Sequence, residues 1–329
     1  PSITVAEDIR RQVQQIEFSQ ALLEWMLGLL LFAGALHAKL DAMRRHAVVI
    51  LLLTTLGVVI STAVAGFGFA WITGIPLLMA LIFGAIISPT DPVAVLGVLR
   101  EAELRPSLEA QIAGESLFND GAAYVIFLFL VGLAFPAADH VAAGWTGAML
   151  LFAREVFGGL ALGAALGWIT YLVVHRIDDY PLVVLLSIGL ALGGYELAVA
   201  LGVSGPLTAV VAGLALANIG NRYGMAGETE DYLDKFWEII DEILNAVLFL
   251  LIGVEVFAIA FGAEALVAIV LTIGLSLVAR LAAVAVPVAL LSPFRSMPGD
   301  IIPVMTWGGL KGGVSVALAL SLPAGEWKP

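Results

Sequence analysis

The sequence contains no cysteine, four histidines and few charged residues among its 329 positions. Without cysteine, the chain can form neither disulfide bonds nor thiolate metal sites, and its histidines do not form the HExxH motif of a zinc enzyme. Charged residues make up 13% of the chain, whereas a soluble domain carries about 25%. The net charge of −12 argues against nucleic-acid binding, which requires a basic face.

Long apolar runs occupy most of the chain, which is 61% hydrophobic. A run of about 20 apolar residues is long enough to cross a bilayer as a helix. We therefore predict an all-α, polytopic transmembrane helical bundle, preceded by an amphipathic lead-in at residues 1–18. Ten spans are predicted, at residues 19–38, 46–66, 75–99, 108–135, 145–174, 181–201, 204–219, 237–258, 263–291 and 300–321.

Lysine and arginine alternate between the loops that join these spans. Every second loop is basic, and the intervening loops near residues 67–74, 136–144, 202–203 and 259–262 contain no Lys or Arg. Because basic loops stay on the cytoplasmic side, we predict a multi-pass protein of the plasma or inner membrane. The predicted cytoplasmic loops are residues 39–46, 100–109, 175–180, 220–236 and 292–300.

Residues 88–92, Ser-Pro-Thr-Asp-Pro, interrupt an apolar span with a carboxylate and two prolines. Each proline removes a backbone N–H and clashes with the preceding turn, so the helix is expected to break beside Asp91. Discontinuous helices of this kind form the ion sites of secondary transporters. A proline-kinked helix that buries Asp91 for structural reasons is the alternative.

The following span carries Glu115, Asn119 and Asp120 among apolar residues. Glu115 and Asn119 are four residues apart and share a helical face, whereas Asp120 points about 100° further round. Arg280 lies inside another apolar span and cannot lose its proton. We predict a structural ion pair between Glu115 and Arg280, because charges within a bilayer almost always pair.

This pairing leaves Asp120 without a fixed cation, as suits a group that exchanges a proton for a metal cation. Asp120, Thr90, Ser116 and backbone carbonyls near Asp91 offer oxygen ligands to a transported Na⁺. Lys311 lies in a glycine-rich segment, residues 308–313, that is also expected to unwind. We predict that Lys311 and Asp91 compensate the opposed helix ends; a snorkelling lysine is the alternative.

Two short similarities indicate an inverted repeat. Gly34 and Gly253 occur in similar segments 219 residues apart, and Asp91 and Lys311 are 220 apart. Seven predicted spans separate the copies, so their orientations are opposite, as in many transporters.

The predicted division of the chain follows this repeat. Residues 19–135 form the first repeat, with core helices at 75–135; residues 136–180 form a linker helix; and residues 181–329 form the second repeat, with core helices at 263–321. The repeat also implies two further helices upstream and one downstream.

At these residues the sequence resembles the monovalent cation:proton antiporter-1 family of sodium/proton exchangers. The resemblance rests on Thr-Asp-Pro at 90–92, Glu-Ser at 115–116, Asn-Asp at 119–120, Arg280, the segment 250–255 and Trp-Gly-Gly-Leu-Lys-Gly at 307–312. It implies an elevator-type homodimeric antiporter without a cofactor, in which Asp120 carries cation or proton in turn.

The resemblance also implies that Asn119 belongs to the cation site and that its amide marks the electroneutral branch, with one cation exchanged for one proton. The sequence departs from the family pattern in two places. Ala33 stands where the family often has an acid, and Lys311 replaces the more usual arginine.

Other functions are weighed against sodium/proton exchange. Potassium/proton exchange uses the same kinds of ligand and stays open. A cation channel requires a continuous polar pore, and a membrane hydrolase would have to join Ser116 to the distant His37. Glu238, Asp241 and Glu242 are interpreted as the solvated start of a helix, with a pH sensor as the alternative.

Overall fold

A computed structural model describes residues 20–38, 40–91, 105–135, 145–177, 179–223, 227–258, 263–295 and 297–322. Within these residues the chain forms α-helices and no strand, and a π-helical turn at Leu53–Gly57 joins α3 to α4. The helices are α1 Gln20–Leu36, α2 Leu40–Arg45, α3 Ala47–Leu52, α4 Val58–Thr73, α5 Leu77–Ile86, α6 Pro106–Ala134, α7 Trp145–Val174, α8 Tyr180–Leu201, α9 Gly205–Tyr223, α10 Gly227–Ala258, α11 Ala263–Leu291, α12 Ile301–Trp307 and α13 Gly313–Leu320.

Several of these helices are long and apolar enough to cross a membrane. Five reach this length within the described residues, and three shorter apolar helices accompany them. A spanning helix needs about 20 residues. The prediction of an all-α, multi-pass transmembrane bundle is therefore confirmed. The five long spans are Ala47–Thr73, Pro106–Ala134, Met149–Val174, Tyr180–Leu201 and Val267–Leu291.

Some predicted boundaries are wrong. The sequence predicts a loop at residues 67–74, but α4 continues to Thr73 and ends at Gly74, whose φ of +72° is left-handed. Gly66 does not interrupt the helix. It allows close packing, because a Cβ at this position would lie 2.9 Å from the Cα of Leu81 on α5.

Helix α10 begins earlier than the sequence predicts. Residues 220–236 were expected to form a basic loop, but α9 continues to Tyr223 and α10 begins at Gly227, not at residue 237. Charged residues in the first turns of α10 extend the helix beyond its apolar part. The amphipathic lead-in, residues 1–18, lies outside the described residues.

The helices pack as two groups. The first helix group consists of α3, α4, α5, α6, α11 and α12, with a buried cluster that includes Leu53, Ile112 and Met305. The second helix group consists of α1 and α7–α10, with a cluster around Phe32 and Trp237. Helix α13 contacts both groups.

Two non-helical segments meet between the groups. Helix α5 ends at Ile86, and residues 88–91 are non-helical; Pro89 disfavours helical backbone at Ser88. Residues 308–312 separate α12 from α13. The Asp91 backbone N–H donates to the Leu310 carbonyl at 2.9 Å, so the two breaks touch. Residues 92–104, which include Pro92, lie outside the described residues.

Candidate ion-binding site

Helix α6 and the break after α5 contribute a group of buried polar residues. Thr90, Ser116 and Asn119 are at most 2% exposed, and Asp120 is 7% exposed. Asn119 and Asp120 are three and four residues after Ser116 on α6, so the three side chains lie on one side of the helix, within an arc of about 100°. The structure therefore brings together α6 and the break that the sequence predicts.

Hydrogen bonds join α6 to the break. The Thr90 and Ser116 hydroxyl oxygens are 3.1 Å apart. The Asn119 side-chain amide donates to the Thr90 hydroxyl at 3.2 Å and to the Ser88 carbonyl at 3.4 Å. Because an ionised aspartate has no proton to donate, Asn119 performs a task here that a second ionised aspartate could not. Its own amide oxygen is buried and has no hydrogen-bond partner within the described residues.

Asp120 lies beside this hydroxyl pair and faces a cavity. One of its carboxylate oxygens, Oδ1, is buried and accepts no hydrogen bond within the described part of the chain. The cavity has a volume of about 60 Å³, and Asp91, Thr90 and Asp120 contribute to its lining. A water molecule needs about 10–15 Å³ of such volume, so a small cation with a few waters fits.

The second helix group supplies the opposite wall of the cavity. Gly34 of α1 and Asp241 and Asn245 of α10 line it. The sequence interpretation of Asp241 as part of a solvated helix start is wrong, because α10 begins at Gly227 and carries Asp241 roughly 20 Å along its axis at 1.5 Å per residue. Glu238 and Glu242 are exposed, whereas Asp241 is partly buried. The sequence feature that indicates this pair is the four-residue spacing of Asp241 and Asn245, which puts both side chains on one face of α10.

Glu115 and Arg280 lie outside the cavity lining and contact each other. The Arg280 guanidinium donates two hydrogen bonds to the Glu115 carboxylate, one of them at 2.8 Å. Its Nε and Nη2 also donate to the Met305 carbonyl at 3.0 and 2.8 Å. Met305 is in the last turn of α12, where carbonyls lack helical partners and favour a cation. Arg280 thus joins α6, α11 and the end of α12.

Lys311 and Asp91 lie in the two breaks that touch. Lys311 interacts electrostatically with Arg280, Glu115 and Asp120, and Asp91 is close enough to Asp120 for their charges to interact. Compensation of helix ends by Lys311 and Asp91 stays a prediction. The close approach of the two breaks requires a glycine at 312, because a Cβ there would lie 2.6 Å from the Asp91 Cβ and 2.7 Å from the Asp91 Oδ2.

Gly312→Ala is expected to lower the thermal stability of the protein in detergent. The added methyl group would force Asp91 away from Gly312, and overpacking of this kind costs about 1–3 kcal/mol. Gly274→Ala is the matched control, because a Cβ at Gly274 meets nothing within 4 Å. Thermal unfolding followed by tryptophan fluorescence measures both variants. Equal midpoints would show that the close approach at Gly312 contributes nothing.

Comparisons with known proteins agree over the whole chain. The family described as "Sodium/hydrogen exchanger, transmembrane" matches residues 3–328. The Na(+)/H(+) antiporter NhaP of Pseudomonas aeruginosa is 44% identical over 329 residues, covering 97% of this chain and 76% of the relative. The Na(+)/H(+) antiporter NhaH of Halobacillus dabanensis is 32% identical over 325 residues, covering 98% of this chain and 79% of the relative.

The fold is similar to a solved structure. The sodium proton antiporter MjNhaP1 from Methanocaldococcus jannaschii at pH 8 matches with a TM-score of 0.78 and 19% sequence identity. The match covers 96% of this chain and 76% of the other. At this level of identity the comparison shows a shared fold.

Proposed function

The chain belongs to the sodium/hydrogen exchanger family, and from that premise we propose that Asp120 binds Na⁺ or Li⁺ and H⁺ in turn during electroneutral exchange. The chain is a membrane transporter and not an enzyme, and its relatives are named as Na⁺/H⁺ antiporters. The transported ions are substrates, and the family carries no cofactor.

The observation that carries the proposal is the environment of Asp120. Its Oδ1 is buried and accepts no hydrogen bond within the described residues, and the residue lines a cavity of about 60 Å³. A bare charge is costly in such a place, and either a bound proton or a bound cation removes it. Glu115, by contrast, has Arg280 as a fixed cation. Asp120 is therefore the better candidate for a group that exchanges its partner.

The proposed cation ligands are oxygen atoms, which hard cations prefer. Asp120 and Asp91 provide carboxylates and Thr90 a neutral oxygen in the cavity lining, and Ser116, outside that lining, provides a second hydroxyl beside Thr90. Asn119 holds Thr90 in place through its amide hydrogen atoms. The amide oxygen of Asn119, which is buried but belongs to a residue outside the cavity lining, is proposed as a further ligand.

The division into two helix groups supports an elevator-type cycle. Asp120, Thr90 and Asp91 belong to the first helix group and its break, whereas α1 and α10 close the other side of the cavity. Movement of the first group along the second would open the cavity to one side of the membrane and then the other. We place the basic loops in the cytoplasm from their charge, and expect a homodimer from the family resemblance.

Ion-driven proton movement in proteoliposomes tests the function. With a preset pH gradient and a pH-sensitive dye inside, addition of Na⁺ or Li⁺ is expected to collapse the gradient. Addition of K⁺ tests the alternative of potassium/proton exchange, which predicts that K⁺ also collapses the gradient. Absence of a response to all three cations, from folded protein, would contradict the proposed function. Cation flux without proton movement would instead indicate a channel.

Exchange is expected to be insensitive to the membrane potential. One cation replaces one proton at Asp120, and Glu115 remains ionised beside Arg280, so no net charge crosses the membrane. Proteoliposomes with the potential set by K⁺ and valinomycin measure this, once the ion series has shown that K⁺ is not transported. Asn119→Asp adds a carboxylate beside Asp120 and is the variant in which sensitivity to potential should appear first.

A wild-type rate that changes steeply with the imposed potential would contradict this stoichiometry. Such a result would mean that a second proton moves in each cycle. Asp241, which faces the same cavity, and Glu115 would then be the carboxylates to replace next.

A further inference from the structure

One wall of the cavity carries a carboxylate and an amide that the exchange at Asp120 does not use. Asp241 and Asn245 are one turn apart on α10, and both line the cavity. Asp91 and Asp120 line the same cavity. Three carboxylates therefore surround a space of about 60 Å³.

Helix α10 is firmly held in the second helix group. Trp237, one turn before Asp241, is fully buried. Its indole N–H donates to the Ser187 hydroxyl of α8 at 2.9 Å, and its ring lies 4.9 Å from that of Phe32 on α1. These contacts tie Asp241 to the second group, whereas α6 carries Asp120 in the first.

We propose that Asp241 and Asn245 form a second position for the monovalent cation, a docking site on the second helix group that serves Asp120. The proposal rests on the proposed function. Carboxylate and amide oxygens suit a hard cation, and the negative charge of the cavity raises the local cation concentration. Independently, Asp120 lines the same cavity, is only 7% exposed, and has a buried Oδ1 that accepts no hydrogen bond within the described residues.

Asp241 and Asp120 belong to different helix groups, and this determines what the docking site can do. In the arrangement described here, a cation can pass between Asp241 and Asp120 within one cavity. Movement of the first group along the second would separate them, so Asp241 would assist loading or release on one side only. Asp241 therefore influences the cation concentration needed for exchange, and Asp120 remains the group that carries the ion.

Asp241→Asn in the full chain, reconstituted into proteoliposomes, tests the docking site with Na⁺ as the probe. We expect the half-saturating Na⁺ concentration to rise by about fivefold to tenfold, with the maximal rate within about twofold of wild type. Glu242→Gln is the matched control, because Glu242 is the adjacent carboxylate, is exposed and does not line the cavity. This control is expected to keep the wild-type Na⁺ dependence.

Three outcomes would overturn the inference. An unchanged half-saturating Na⁺ concentration in Asp241→Asn would give Asp241 at most a structural role. Complete loss of exchange at saturating Na⁺, from folded Asp241→Asn protein, would make it part of the carrying site. An equal rise in Glu242→Gln would indicate a general surface-charge effect. A wild-type protein without Na⁺-driven exchange would instead refute the proposed function itself.

Asn245→Ala provides a second variant in case Asp241→Asn does not fold. It removes the amide oxygen and keeps the carboxylate, so a smaller rise in half-saturating Na⁺, about twofold to fivefold, is expected. Thermal midpoints in detergent establish folding for each variant. A folded Asn245→Ala protein with unchanged Na⁺ dependence would remove Asn245 from the site and, without folded Asp241→Asn, overturn the paired site proposed here.

Discussion

Asp120→Asn is expected to abolish cation-driven proton movement and leave the fold intact. Asparagine has nearly the same shape as aspartate but neither titrates nor carries a charge. The packing around residue 120 is therefore preserved, while the group that would alternate between proton and cation is lost. The proteoliposome pH-gradient assay should show only the background leak at every Na⁺ concentration.

Two controls separate transport from folding in this experiment. The thermal midpoint of Asp120→Asn in detergent should be at or above that of the wild type, because burial of a neutral side chain costs less than burial of a charge. Asp41→Asn replaces a carboxylate that is 68% exposed and should keep wild-type exchange. Substantial exchange by folded Asp120→Asn would move the carrying role to another group, with Asp91 the first to examine.

Arg280→Met is expected to produce the largest loss of stability among the buried polar substitutions. It leaves the Glu115 carboxylate buried without its cation and removes both hydrogen bonds to the Met305 carbonyl. Removing one partner of a buried ion pair typically costs about 3–5 kcal/mol. Thermal unfolding in detergent should show a large decrease in midpoint, with a corresponding loss of folded protein on purification.

A double-mutant cycle with Glu115→Gln tests the pairing. The variant that carries both substitutions should recover part of the stability, because no buried charge is then left alone. Recovery cannot be complete, since Met305 still lacks its donor. The exposed pair Arg105–Asp300 is the matched control, and its loss should cost about 0–1 kcal/mol. Strictly additive losses for Glu115 and Arg280 would show that the two side chains do not interact energetically.

Sequence reasoning could predict the spans and both breaks because their causes are local. Apolar length requires a helix in a bilayer, and Pro89 and the glycines of residues 308–312 prevent one from continuing. Charges inside a bilayer must find partners, and the structure places Arg280 on Glu115. The inverted repeat, the orientation and the roles of the site residues stay predictions.

The position of Asp241 in the cavity lining could not be predicted from local sequence features. It depends on where α10 begins, and the charged residues after Gly227 conceal that helix start in a hydropathy pattern. It also depends on how α10 packs against α1 and α13, which no local feature determines. Gly66 is a second example. The sequence alone does not distinguish a glycine that ends a helix from one, such as Gly66, that lets a neighbouring helix pack closely.

Calorimetric titration of Na⁺ into the detergent-solubilised protein tests the central claim, that Asp120 binds a cation or a proton in turn. Repeating the titration in buffers of different ionisation enthalpy counts the protons released. The account predicts that, at a pH where Asp120 is protonated, one proton is released for each Na⁺ bound, and that Asp120→Asn releases none. Na⁺ binding without proton release across the pH range of activity, or equal release by Asp120→Asn, would contradict it.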